Sequence, residues 1–262
     1  LSAKHGIAAM TFLPNSPEAR QDALRLRLNR GLPLNLAALA EEFGVSTDSI
    51  RRDLKALEAQ GHARCIRGGA LPVTRPAAHT LDRLGHSGAE QAALAATALP
   101  LIENGMVLMM DGGTSVLTLA QGLPHLPDCL VVTPAPAVAL ATLAAGIPTH
   151  LVGGRLSGFG AVAVGHETAI ALDGIAADLA FIGVCGLDAG FGLSADDPDE
   201  AHVKRAMIAS AHRAVVLTGA AKLGLRARHR VAPCTALDLL ITDATTDLTA
   251  PLAASGLEIR HV

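Results

Sequence analysis

The chain contains no tryptophan and no tyrosine, and only five phenylalanines among 262 residues. Proteins that grip single-stranded nucleic acid stack the bases on aromatic rings, so that mode of binding is not expected. Cysteine is scarce as well. Cys65, Cys129, Cys185 and Cys234 stand far apart, with no Cys-x-x-Cys metal spacing. A chain of this length needs no disulfide staples, and the four are read as reduced thiols. Half of the residues are apolar, yet Pro, Gly, Arg or Asp interrupts every run before it reaches the length of a membrane span. Residues 1–10 carry one lysine and a short apolar patch, without the long apolar stretch of a secretory signal. The expectation is a cytoplasmic protein with no membrane contact and a disordered stretch over residues 1–15. Neither G-x-G-x-x-G nor Gly-Lys-Ser/Thr occurs after a glycine-rich turn, which removes the dinucleotide fingerprint and the P-loop. No cofactor and no metal site is expected.

What charge there is lies unevenly. The net charge is −3, but residues 1–75 hold 11 Lys/Arg against 7 Asp/Glu, and residues 76–262 hold 10 against 17. A basic end on an acidic body puts the polyanion-facing surface at the N-terminus. Chance clustering of surface charge is the plain alternative.

The basic end has helical punctuation. Ser16-Pro17-Glu18 reads as a cap, a first-position proline and a dipole-matched acid, opening a helix to Arg30 that Gly31 ends. Leu36, Leu39, Ala40 and Phe43 form one apolar face of a second helix, stopped by Gly44. Ser46 caps a third helix through the amide of Ser49, and Ile50, Leu54 and Leu57 form its inward stripe, with Gly61 as its end. Thr47, Asp48, Arg51, Arg52 and Lys55 are left on its other surfaces. Two helices across a glycine turn, the second polar and basic near its start, fit a helix-turn-helix. His62–Ile66, then Arg67-Gly68-Gly69, then Ala70–Val73 reads as a β-hairpin wing carrying Arg64 and Arg67. Ser46, Thr47, Asp48, Ser49, Arg51, Arg52, Lys55, Arg64 and Arg67 are therefore the candidate contacts to duplex DNA. An ordinary three-helix domain with a solvated basic face is the competing reading.

Residues 74–88 mix Pro, Ala, His, Thr and Gly without periodicity and read as a linker. The expected layout is a winged helix-turn-helix over 16–73 and a larger domain over 89–262. A helix from Ala89 to Glu103, kinked at Pro100, opens the larger domain. Apolar runs at Met106–Met110, Leu130–Thr133, His150–Val152, Leu179–Val184, Val215–Thr218 and Leu237–Thr242 then alternate with helical stretches. That alternation is the pattern of a mainly parallel sheet covered on both faces, with ligands beyond the strands' carboxyl ends. Asp111-Gly112-Gly113-Thr114-Ser115 follows the first strand and opens a helix. Its glycines, hydroxyls and helix N-terminus make a plausible phosphate cradle, although such a loop also serves as simple turn chemistry. Thr133, Gly153, Gly154, Arg155 and Asp188 stand at other strand ends. Glu200 and Lys204 share one face of a helix expected from Asp199 to His212, and would pair on the surface if nothing else engaged them. Lys222 follows the strand ending at Thr218.

The sequence resembles the DeoR family of transcriptional regulators. The run Leu39-Ala40-Glu41-Glu42-Phe43-Gly44-Val45-Ser46, then Ser49-Ile50-Arg51-Arg52-Asp53-Leu54, then Gly68-Gly69-Ala70 looks like that family's DNA-binding signature. Asp111-Gly112-Gly113-Thr114-Ser115, Gly153-Gly154, Phe181 to Asp188, Glu200 to Met207 and Lys222-Leu223-Gly224 follow the order of its sensor domain. The resemblance implies a sensor similar to ribose-5-phosphate isomerase and CoA-transferase-like folds that responds to phosphorylated sugars. It marks Asp111, Gly113, Thr114, Ser115, Glu200, Lys204 and Lys222 as pocket residues. Ser49 stands where the family has Thr, Arg67 where it often has His, and Pro134 where it often has Asn. Gly219, Ala220 and Ala221 stand where an acid and small hydroxyls usually precede the lysine.

These readings converge on a DNA-binding repressor of sugar or carbohydrate metabolism genes, not an enzyme, controlled by a phosphorylated sugar or related metabolite. Paired DNA-reading heads imply a homodimer or homotetramer. Two alternatives stay open: a sugar-phosphate isomerase using Asp111, Asp188, Glu200 and Lys222 as acid–base groups, and an interaction module that binds no DNA.

Overall fold

The computed structural model describes residues 16–29, 32–60, 62–72, 80–83 and 88–262. Residues 1–15, Arg30, Gly31, Gly61 and most of the stretch from 73 to 88 lie outside that description, and the expectations placed on them with it. The chain divides into two compact units, Leu1–Val73 and Thr74–Val262.

In the smaller unit, α1 (Pro17–Asn29), α2 (Leu36–Phe43) and α3 (Thr47–Ala59) close on a core of Leu24, Leu28, Leu39, Phe43, Ile50, Leu54 and Leu57. Ser16 Oγ accepts from the Ala19 amide at the start of α1. Gly44 takes a left-handed φ of 62° at the end of α2, a conformation that spares glycine the steric penalty of a Cβ. Ser46 Oγ accepts from the Ser49 amide at 3.2 Å and caps α3. The wing is three-stranded: β1 (Leu34–Asn35), β2 (Ala63–Ile66) and β3 (Gly69–Pro72), in the order β1-β3-β2. A two-residue strand leaves no periodic signal, so β1 was invisible to pattern reading. Gly69 permits it, because any Cβ there would overlap the Leu34 backbone.

One acid locks the unit. Asp53, on the inward side of α3, accepts from Arg20 Nε at 2.9 Å and from Gln21 Nε2 at 3.0 Å, both on α1. The ion pair is buried, with 7% and 4% of the two side chains exposed.

The larger unit centres on a seven-stranded sheet. Its strands are β4 (Val107–Met110), β5 (Leu130–Thr133), β6 (Thr149–Leu151), β9 (Ala177–Ile182), β12 (Ala211–Leu217), β14 (Leu239–Thr242) and β15 (Glu258–His261). The order is β15-β14-β12-β9-β4-β5-β6, and every neighbouring pair is parallel. The central strands β4, β9, β12 and β14 are almost wholly apolar and buried, which marks a sheet covered on both faces, while the edge strands β6 and β15 are largely exposed. Helices α5 (Ala89–Ala98), α6 (Thr114–Gln121) and α7 (Pro136–Ala144) contact one another in turn, and α8 (His166–Asp173) packs on α9 (Pro198–Ala209). Between β6 and β9 lies the hairpin β7 (Arg155–Leu156) and β8 (Ala163–Val164). A small antiparallel sheet of β10 (Gly186–Asp188), β11 (Gly192–Ala195) and β13 (His229–Ala232) packs on α9. A single-turn helix, α4 (Thr80–Arg83), precedes α5, and α10 (Thr246–Ala253) precedes β15.

Two element boundaries differ from expectation. The helix opened at Ala89 ends at Ala98 rather than Glu103, because Pro100 lacks the donor to continue it; a 3-10 turn, Leu99–Leu101, follows. The helix over Glu200 and Lys204 stops at Ala209, not His212. Ala211 instead pairs with Ala177 and begins β12, so pairing with the sheet overrides helical continuation.

The topology selects one location for a site. From β4 the chain steps to β5 and β6 on one side, then crosses to β9 on the other. The strand order therefore reverses between β4 and β9, and the crevice beyond their carboxyl ends is where open α/β sheets bind ligands.

Replacing Asp53 by Ala strands Arg20 in the interior and is expected to cost about 3–5 kcal/mol. Amide exchange should accelerate across residues 17–72 and remain at the parent rate in the β4–β9 strands. Equal protection in both units would remove the lock assigned to Asp53.

Candidate functional site

The crevice at the β4/β9 reversal is lined by Asp111, Gly112, Gly113, Thr114, Ser115, Gly160, Gly183, Val184, Cys185, Glu200, Lys204 and Lys222, with Thr80 and Phe159 on another wall. Asp111 directly follows β4 and is 1% exposed. Its Oδ2 accepts from the Gly183 amide at 2.9 Å, joining the two loops at the reversal. Gly183 is required here, since a Cβ would run into the Gly112 carbonyl oxygen. Beneath them the Lys204 ammonium pairs with Asp111 and donates to the Gly183 carbonyl at 3.0 Å. Lys222 Nζ donates to the next carbonyl, Val184, at 2.9 Å. Two cations thus pin the loop from Gly183 to Val184.

Glu200 and Lys204 are not the surface pair that their spacing allowed. Both are buried. Glu200 turns to the loop after β7, accepting from the Ser157 hydroxyl and from the Gly160 amide at 2.8 Å. Burial pushes its carboxyl above the usual range, against the opposing pull of Lys204 and Ser157. Burial also works against the Lys204 ammonium, but the Asp111 and Glu200 carboxylates outweigh it and raise its pKa.

The start of α6 also lines the crevice. Gly113 is its N-cap at φ 99°, and no side chain caps the helix. The backbone amides of the first turn, with the Thr114 and Ser115 hydroxyls beside them, stand at the lip of the crevice, where the helix dipole is positive.

Five expected residues lie elsewhere, each for a local reason. Thr133 is fully buried and its Oγ1 accepts from the Ala135 amide, closing the turn after β5. The Gly153 carbonyl accepts from Thr168 Oγ1, and Gly154 is pressed against the same Thr168. Arg155 is exposed and pairs with Asp199 at 2.6 Å. Asp188 ties the β10–β11 turn through the Gly190 and Phe191 amides and pairs with Arg226. These strand ends satisfy their own turns instead of facing the crevice. Conversely, Ser157, Phe159, Gly160 and Thr80 went unnoticed. The run Ser157-Gly158-Phe159-Gly160 was the available signal.

Glu90 is a further surprise. It enters from α5 and lies against Gly219, in the space a Cβ at 219 would fill. The acid that the family pattern puts just before the lysine is missing at 219, and a carboxylate reaches the same place from another helix. Partial burial and the nearby Asp243 push Glu90 up, against the attraction of Lys222.

In the smaller unit, Ser46, Thr47, Asp48, Arg51, Arg52 and Lys55 are exposed on α3, and Arg64 and Arg67 are exposed on the wing. Ser49 is half-buried and bonded to the Ser46 hydroxyl at 3.0 Å, which makes it part of the cap. Arg51 pairs with Asp48 one turn away, an exposed contact worth little and easily exchanged. Glu58 accepts from the Cys65 amide at 2.7 Å and ties β2 to α3. Among the described residues no group of His, Cys, Asp and Glu is arranged to hold a metal, and no helix is long and apolar enough to cross a membrane.

Comparison with known proteins bears on both units. Residues 20–75 match the DeoR-like helix-turn-helix domain, and residues 87–244 match the DeoR C terminal sensor domain. The HTH-type transcriptional regulator GlpR of Haloferax volcanii is 31% identical over 81% of this chain and 84% of its own. The glycerol-3-phosphate regulon repressor of Escherichia coli is 28% identical over 79% of this chain and 82% of its own. Among solved structures, a D-ribose-5-phosphate isomerase in complex with phospho-erythronic acid overlaps 50% of this chain and 52% of its own, at 19% identity and a TM-score of 0.38.

The raised pKa of Glu200 gives a pH test. Its folded value exceeds the unfolded one, so its contribution is greatest below the ordinary glutamate value and is lost as pH climbs through the shifted one. Thermal midpoints taken from about pH 4 to about pH 8 should fall less steeply in Glu200→Gln. Part of the slope should persist, since Glu90 titrates in the same sense. Identical slopes in the two proteins would contradict the buried, strained carboxyl.

Proposed function

Because the chain belongs to the DeoR family of transcriptional regulators, we propose that it is a repressor of carbohydrate metabolism genes. In this reading a phosphorylated sugar or polyol fills the crevice at the β4/β9 reversal and changes the grip of α3 on its operator. The observation that carries it is the uncapped N-terminus of α6, set beside two lysines at the strand reversal. A phosphate there accepts from the first-turn amides and from Thr114 and Ser115, while Lys222 supplies positive potential and Lys204 is already neutralised by Asp111.

At the other end, α3 is the recognition helix. Its N-terminal turn faces base edges, Arg52 and Lys55 flank it, and Arg64 and Arg67 on the wing reach the backbone or minor groove. Such heads act in pairs on repeated half-sites, so the working form is a homodimer or homotetramer in the cytoplasm. The effector must bind the two head arrangements unequally, since equal affinity shifts nothing.

The isomerase alternative fares worse in this geometry. Asp188 is outside the crevice, and Asp111 is engaged by Lys204 and Gly183. Binding without turnover is the expected result with aldose and ketose phosphates.

Gel shifts on the DNA upstream of the protein's own gene test the head. Arg51→Ala and Arg52→Ala should each weaken binding by about 1–3 kcal/mol wherever a guanidinium reads a base. Unchanged affinity in both variants would remove α3 as the reading element. In the sensor, Thr114→Val should blunt the response to a phosphorylated effector and leave effector-free DNA binding intact. Full induction of that variant would sink the phosphate cradle.

A further inference from the structure

One described residue between the smaller unit and α5 lines the crevice. Thr80, the first residue of α4, is only 5% exposed and forms part of the crevice wall. Its amide donates to the Phe159 carbonyl at 2.8 Å, across 79 positions of sequence. Seven positions before it, at Val73, the smaller unit ends.

Phe159 sits in a loop under tension. Ser157 to Val162 is closed by the Ser157 amide on the Val162 carbonyl at 2.8 Å. Ala161 in that loop has φ 54°, the one non-glycine residue in the left-handed region among the described residues. Strain of this kind persists only where surroundings enforce it. Here the enforcing group is Glu200, through Ser157 and Gly160. Glu200 lies one helical turn from Lys204, which pairs with Asp111 on the crevice floor. Floor, loop and Thr80 are therefore one bonded series.

The crevice is also nearly full. The space within it is about 30 Å³, room for one or two water molecules. Sites for small organic ligands run to roughly 300–1,000 Å³. The hollow around it, open to solvent, holds about 460 Å³, so a sugar phosphate resting on the lip reaches the depth of the crevice by displacing part of the lining. Its floor is fixed by strand ends and the buried ion pair, which leaves the wall of Thr80 and the Phe159–Gly160 loop to give way.

We propose that Thr80 is an effector-contacting residue and that its contact with Phe159 is where occupancy of the crevice is passed to the connector. The hydroxyl of Thr80 faces the polyol end of a phosphorylated ligand whose phosphate sits on α6. Accommodating that ligand shifts Thr80 against Phe159 and so moves the chain that leads to α3. The inference rests on the reading of the crevice as the effector site.

Two variants of the full chain separate the parts. Thr80→Val removes the hydroxyl and keeps the amide. Thr80→Pro removes the amide donor as well, at a first helical position that accepts proline. Both are checked for a parent-like thermal midpoint, then titrated with glycerol 3-phosphate, glucose 6-phosphate, fructose 6-phosphate and inorganic phosphate. Upstream DNA is followed by gel shift at each step. Thr80→Val should bind the responsive sugar phosphate roughly two- to tenfold more weakly, the range of one neutral hydrogen bond, with inorganic phosphate binding unchanged. Thr80→Pro should in addition alter DNA affinity without any ligand, and speed amide exchange in the Ser157–Val162 loop. If both variants bind and respond as the parent does, the inference is overturned while the crevice stands. If the parent answers none of the probes, the crevice reading falls and takes the inference with it.

Discussion

The larger unit is organised around a buried ammonium. Lys204 is carried on α9, yet its charge is neutralised by Asp111 at the end of β4 and solvated by the Gly183 carbonyl at the end of β9. A lysine so deeply buried is tolerable only with such partners, because an unpaired charge there would be driven out or neutralised. The constraint runs both ways. The two strand ends must come close enough to share the cation, which demands glycine at 183, and the helix must lie beneath the reversal. The topology sets the site's location, and this pairing fixes how closely the two strand ends approach there.

The smaller unit repeats the device at a different scale. Asp53 interrupts a basic stretch of α3 and holds Arg20 and Gln21 of α1. It fixes the helix from behind while its neighbours Arg51 and Arg52 remain outside. Buried ion pairs are weak evidence for net stability, but removing one partner is costly, and they set a unique geometry where an apolar contact would slide. In both units a buried ion pair joins separate elements, α3 to α1 in the smaller and α9 to the end of β4 in the larger.

Much of this was visible in the residues alone. The caps Ser16 and Ser46, the stop Gly44 and the stripes of α2 and α3 were legible because helix ends and faces have strong local chemistry. The parallel sheet was legible from its apolar runs. Legibility failed where long-range pairing decides. The two-residue β1, the strand beginning at Ala211 and the small sheet of β10, β11 and β13 have no periodicity of their own. Within the site, Asp111 to Ser115, Glu200, Lys204 and Lys222 fall together, since a glycine turn before a helix and a lysine after a strand carry position in the sequence. Thr133, Gly153, Gly154, Arg155 and Asp188 shared the same grammar but spend it on their own turns. Thr80 had no grammar at all: a threonine in a stretch of mixed composition announces nothing until the fold brings Phe159 to meet it.

The meeting of Glu90 and Gly219 has a consequence for descent. One small volume is claimed by two positions far apart in the chain, and only one can hold it. A lineage that gains a side chain at 219 evicts the Glu90 carboxylate, which is free to swing into solvent; one that shortens residue 90 first leaves a gap that a later acid at 219 can fill. The two positions should therefore vary in concert among relatives, each acid marking the other's absence.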